Sequence, residues 1–155
     1  MFCRFLIPLR PMSVNKMYRS YRGRMIKSQE AREFEIAFNH YLAEFADQAV
    51  MFMQSFDRKA HTFNIEYVFY LNKERFFTKN GRINQRCCDV DNAIKQSQDC
   101  LFSFLNIDDA YVTRLAAAKV ASESDCIEIV VRRSNLVTKI LSPEPRANLG
   151  SSSIQ

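Results

Sequence analysis

Thr62-Phe63-Asn64-Ile65-Glu66-Tyr67-Val68-Phe69-Tyr70-Leu71 alternates without a break. Phe63, Ile65, Tyr67, Phe69 and Leu71 share one face of a period-two chain, which predicts a central β-strand. Upstream of it, Ser28 is a good helix N-cap, with Gln29 and Glu30 in the turn that follows. Phe34, Phe38, Tyr41, Leu42 and Phe45 then recur at helical spacing, so an amphipathic helix is predicted to about Asp47. An aromatic stripe of this kind faces a core. Downstream, a second helix is predicted over Asp91 to Leu105. Ala93, Ile94, Ser97, Cys100, Leu101, Phe104 and Leu105 fall on one arc, and Asp91, Lys95 and Gln98 fall opposite, with Asp99 beside them. Phe102 shares that polar side, which suits contact with a partner chain.

The remaining chain fits around these elements. Phe2 to Leu9 reads as a strand, and Pro8 and Pro11 place it at an edge or an end. Ser13 to Gly23 is a basic, tyrosine-containing loop before a short strand at Arg24 to Lys27. Ala49 to Lys59 admits a helix extension, a packed loop or a dimer contact. Asn72 to Arg86 is a long polar connection with a turn signal at Asn80-Gly81. Tyr111 to Val120 is read as a strand that forms a hairpin with Cys126 to Arg133 through a turn at Ser122 to Asp125. The fold class is α+β, a small mixed β-sheet packed against two main α-helices. Residues 1–135 form the domain, and 136–155 read as a flexible tail because Pro143, Pro145, Gly150 and three serines crowd there.

At 155 residues the chain is one domain, and 47% apolar composition with 13 Phe and 6 Tyr excludes wholesale disorder. No stretch approaches about 18 uninterrupted apolar residues, so no membrane helix is expected. Arg4 and Arg10 interrupt the first apolar run, which does not read as a secretion signal. The five cysteines (Cys3, Cys87, Cys88, Cys100 and Cys126) are odd in number and lack CxxC spacing. Reduced, partly buried thiols in a cytoplasmic protein are expected, without structural zinc.

Charge is distributed unevenly. Met1 to Lys27 holds seven basic residues and no acid, while Cys87 to Ala110 carries five aspartates and one lysine. A basic surface around concentrated carboxylates can bind a polyanion and hold a divalent cation. The carboxylates lie in Asp89-Val90-Asp91-Asn92-Ala93-Ile94-Lys95 and in Asp108-Asp109. If they converge, they form an all-oxygen site that suits Mg²⁺ or Mn²⁺, and a nearby lysine can stabilise charge on a phosphate. The plainer alternative is that Asp91 caps a helix and pairs with Lys95 at i,i+4, while Asp108-Asp109 makes a turn.

Three blocks together resemble the RusA family of Holliday junction resolvases. Pro8-Leu9-Arg10-Pro11-Met12-Ser13-Val14-Asn15 is similar to the family's Pro-x-x-Pro-x-Ser-x-Asn opening, and Tyr18, Arg19 and Arg24 follow it. Asp89 to Lys95 matches Asp-x-Asp-Asn-x-x-Lys. Asp99, Asp108-Asp109 and Lys119 come after it in the family's order. The resemblance implies a homodimeric, Mg²⁺-dependent endonuclease that resolves four-way DNA junctions by paired nicks. It implies that Asp89, Asp91 and Asp109 bind the metal, that Lys95 is the catalytic lysine, and that Lys16, Arg19, Arg22, Arg24 and Arg86 contact DNA. No organic cofactor or membrane is implied, and the setting is a bacterial or phage-infected cytoplasm. Cys87-Cys88 departs from the family, which more often has a basic residue or proline before the first aspartate. Two further readings are a DNA-binding module without chemistry and a nuclease for flaps or forks.

Overall fold

A computed structural model describes residues 1–136. Six strands and four helices form a mixed α+β fold: β1 (Phe2–Ile7), β2 (Tyr18–Tyr21), β3 (Arg24–Lys27), α1 (Gln29–Ala43), α2 (Ala46–Gln54), β4 (His61–Asn72), α3 (Lys73–Phe76), α4 (Val90–Leu105), β5 (Val112–Ser122) and β6 (Cys126–Asn135). The expected tail falls on 136–155, of which only Leu136 lies inside the described residues.

The main sheet has the order β1-β6-β4-β5, and β2-β3 is a separate hairpin. β4 is the central strand that its alternation predicts, parallel to β5 and antiparallel to β6. β1 lies at the edge, antiparallel to β6, and stops before Pro8. Inward residues of β1, β4 and β6 are buried as a set, from Cys3, Phe5 and Ile7 through Ile65 and Phe69 to Ile129. The helices cover this face, with α1 and α2 against β1 and α4 against β5. The opposite face is open and mixed: Phe2 and Leu6 are exposed on β1, while Arg4 donates to Glu128 and the Tyr70 hydroxyl donates to the same carboxylate.

The structure corrects five expectations. Tyr18–Tyr21, expected within a loop, is strand β2 and pairs with β3. β5 and β6 are not a hairpin, because β4 lies between them. The Glu123–Asp125 connection crosses over the end of β4 and is held there. The Asn72 backbone N–H donates to Asp125, the Asn72 side-chain amide donates to the Glu123 carbonyl, and Arg75 pairs with Asp125. The first helix ends at Ala43, earlier than Asp47. Phe45 turns inward to meet Phe5 edge-on at 5.5 Å, and a new helix, α2, then buries Ala49 and Phe52. The Asn72 to Arg86 connection is not all loop: Asn72 caps the short α3, which buries Phe76. Phe102 is half-buried and packs on the core, so it is not a free apolar residue on a polar face.

Candidate active site

The α4 N-terminus organises the site. Asp89 is its N-cap residue, with extended backbone, yet its side chain makes no capping hydrogen bond. Among the described residues its carboxylate accepts from the Asn92 side-chain amide alone, at 3.3 Å, and Asp89 stays exposed. Asp91 lies in the first turn and is also exposed. Both carboxylates sit where the helix dipole favours negative charge.

An open cavity of ≈ 480 Å³ lies against this end of α4 and brings distant parts of the chain together. Its walls include Arg10, Ser13, Asn15 and Lys16 from the N-terminal block, Asp89 from the acidic block, and Arg86 just before it. Arg86 and Asp89 thus line the same cavity. A 3₁₀ turn at Val14–Lys16 packs on α4 and forms one side of this junction. Lys119 on β5 donates to the Cys88 carbonyl at 3.0 Å, which fixes the backbone one residue before Asp89.

Lys95 lies one turn beyond Asp91, but its ion pair is with Asp99, at 2.8 Å. The i,i+4 pairing of Asp91 with Lys95 is thus replaced by the next pair along the helix. The hydrogen bond that Lys95 donates to Asp99 raises the Lys95 pKa above its ordinary value against a smaller opposing effect of burial, and the charges of Asp99, Asp109 and Tyr18 add to it. Lys95 is therefore a cation at neutral pH, suited to stabilising phosphate charge and not to accepting a proton.

Asp109 is placed differently. It begins a 3₁₀ turn after α4, capped by Asp108 through the Ala110 N–H. The 16 residues of α4, about 24 Å of helix, separate it along the chain from Asp89. Lys119, well along β5, is the β5 residue that meets the Asp89 end of the helix. Among the described residues no three His, Cys, Asp or Glu form a group that could hold a metal ion. Asp89 and Asp91 share one helix end, and the expected convergence of Asp109 with them is not seen in the single chain.

The basic candidates are exposed and divide into two groups. Lys16 and Arg86 line the Asp89 cavity, and Arg19 lines an adjoining groove that Lys16 shares. Arg22 and Arg24 lie at the tip of the β2–β3 hairpin.

The sequence model of Endodeoxyribonuclease RusA matches residues 8–132. The chain belongs to the RusA endodeoxyribonuclease family. The match spans the N-terminal block, both acidic blocks and Lys119. No curated protein matches the chain. Family membership makes this an enzyme that acts on DNA.

Within this RusA-family chain, sequence reasoning missed a polar link behind the site. Gln96 is fully buried, and its amide donates to Glu35 on α1 at 3.0 Å. Glu35 also accepts from Lys27 at the end of the hairpin. One carboxylate thereby joins the hairpin, α1 and α4. Gln96 sits beside Ser97 on the buried side of α4, outside the arc that helical spacing assigns to the core. The hint available in sequence was a lysine just before a helix whose second turn carries Glu35. The five thiols are free, as expected, and burial pushes Cys3 up to about 11 and Cys100 up to about 12.

Proposed function

We propose that this protein is a divalent-metal-dependent endonuclease that resolves four-way DNA junctions by paired nicks, working as a homodimer. The observation that carries the reading is Asp89, an N-cap aspartate that leaves its helix uncapped and lines a cavity with Arg86 and Lys16. An uncapped helix end forgoes about 1 kcal/mol. That is the kind of local cost expected at a functional carboxylate.

The donor chemistry fits Mg²⁺ with Mn²⁺ as substitute. Exposed, hard oxygen ligands are present, and Mg²⁺ commonly takes one or two protein carboxylates with waters and substrate phosphate completing the octahedron. Asp89 and Asp91 would hold the ion, and the resemblance adds Asp109. When bound, the metal supplies an activated water and neutralises phosphate charge. The chain's own residues do the rest. Lys16 and Arg86 hold the phosphate backbone at the cavity mouth. Lys95, kept cationic by Asp99, stabilises charge that builds on the phosphodiester. Arg19, Arg22 and Arg24 extend the backbone contact along the hairpin.

Asp89→Asn and Asp91→Asn are expected to abolish cutting of a labelled junction while leaving gel-shift affinity within about threefold, since affinity comes from backbone contacts. Equal loss of binding and cutting would remove these residues from the metal site. One observation favours a second reading, a DNA-binding module without chemistry: among the described residues, no three carboxylates meet. Junction binding that persists in EDTA, with no cutting when Mg²⁺ is restored, would establish that reading.

A further inference from the structure

We propose that the tip of the β2–β3 hairpin is a stacking wedge, and that Tyr21 and Arg22 engage an unstacked base at the branch of a DNA junction. The inference rests on the proposed branched-DNA substrate and adds the contact that would tell a branch from a plain duplex.

Each hairpin strand has four residues, so the tip stands about 13 Å from its base. The base is anchored. Ser28 donates through its backbone N–H to the Met17 carbonyl at 2.7 Å, and Met17 is buried with Met12 and Ala31. Lys27, at the end of β3, pairs with Glu35. This anchored base adjoins the Asp89 cavity through Lys16. A duplex arm held by the hairpin would thus run into the carboxylates.

The hairpin carries apolar surface that the protein does not cover, from Tyr18 at its base to Tyr21 at its tip. Tyr21 is 52% exposed, Tyr18 47% and Met25 69%. Such residues on a four-residue ribbon contribute nothing to the core. They are surrounded by Arg19, Arg22 and Arg24 with no acid on the hairpin, so the matching partner is both aromatic and anionic. A nucleotide is both. Base-on-aromatic stacking with a neighbouring arginine is the usual means of holding one outside its stack.

The turn supplies an independent observation. Arg22 and Gly23 both have positive φ, 49° and 74°, the two-residue turn that matches strand twist. Asn or Gly normally fills the first of these positions, because a left-handed backbone strains other residues. Here an arginine takes it and lays its guanidinium over the Tyr21 ring, 5.2 Å from the centroid. The strain is accepted where it builds a flat, charged platform. In a plain duplex every base is stacked and the platform has nothing to receive. At a branch, unstacking is cheapest.

The test uses the full chain in EDTA, bound to a four-way junction with 2-aminopurine at the branch point. The wild type is expected to raise the fluorescence, because the base leaves its stack. Tyr21→Ala is expected to lose most of that rise and to bind the junction about 5- to 150-fold more weakly, the equivalent of about 1–3 kcal/mol for one stacked base. The loss on a linear duplex of equal length is expected to be smaller, and Tyr21→Phe is expected to restore both signals. Arg22→Asn, which suits the turn, guards against misfolding and is expected to cut the rise with no loss of thermal stability. A full rise in Tyr21→Ala, equal losses on junction and duplex, or no rise in the wild type would each overturn the wedge. Metal-dependent cutting, measured separately, distinguishes the two claims. Cutting without a rise removes the wedge and leaves the nuclease, and a rise without cutting does the reverse.

Discussion

Asp89 stands where a helix asks for a capping carboxylate, and it does not cap. Asn is as good as Asp at this position. Asp89→Asn is therefore expected to move the unfolding free energy by no more than about 0.5 kcal/mol, by urea titration, while it removes cutting. A large loss of stability would mean that the carboxylate is structural. Lys95 gives a second test at this scale. Its hydrogen bond to Asp99 raises its pKa, so the ammonium persists above the ordinary lysine value of about 10.4. In Asp99→Asn the Lys95 Cε resonance is expected to titrate at lower pH than in the wild type. Identical titration curves would remove Asp99 as its partner. The acidic positions themselves were legible in the sequence, because Asp89, Asp91 and Lys95 fall at helix-start spacing. The pairing was not, since Asp91 and Asp99 are equally spaced from Lys95 and only the folded geometry selects the second.

The link from Lys27 through Glu35 to Gln96 decides how hairpin, α1 and α4 stand to one another. Glu35→Ala would leave the buried Gln96 amide unpaired, and a loss of about 1–3 kcal/mol is expected in urea unfolding. A neutral result would show that the link carries no load. Glu35 raises the Lys27 pKa, so this pair stabilises fully below the unfolded lysine value. The contribution fades as pH climbs through the raised folded value. β4 and α4 were legible because alternation and helical periodicity are strong over ten or more residues. α2 was not, because the signal at Ala49 to Lys59 mixes buried Phe52 with exposed Met51. The β5–β6 order was also hidden. A three-residue connection ordinarily closes a hairpin, and nothing local announces that Asn72 will receive Asp125 and let the chain cross over β4. β5 is alanine-rich, with Leu115 and Val120 exposed, so it lacks the alternation that reveals a face.

Across the whole molecule, basic residues from the first 27 positions and from the segment before Asp89 come to one side of α4. Junction affinity is accordingly expected to fall steeply with salt. Six to ten phosphate contacts would cost about 10³ to 10⁵ in affinity between 50 and 200 mM, measured by fluorescence anisotropy. A shallow slope would mean that the basic surface does not hold the backbone. The α+β class and the family were legible from the sequence, because the three blocks occur in order. The meeting of the N-terminal block with Asp89 in one cavity follows from the fold. The central claim is metal-dependent cutting of branched DNA at the Asp89 end of α4. It is tested most directly by incubating a labelled four-way junction and a matching linear duplex with the wild-type chain, in Mg²⁺ and in EDTA. Symmetric nicks on the junction alone, present with Mg²⁺ and absent with EDTA, are predicted. Tight junction binding with no metal-dependent nick would contradict the account and make the aspartates structural.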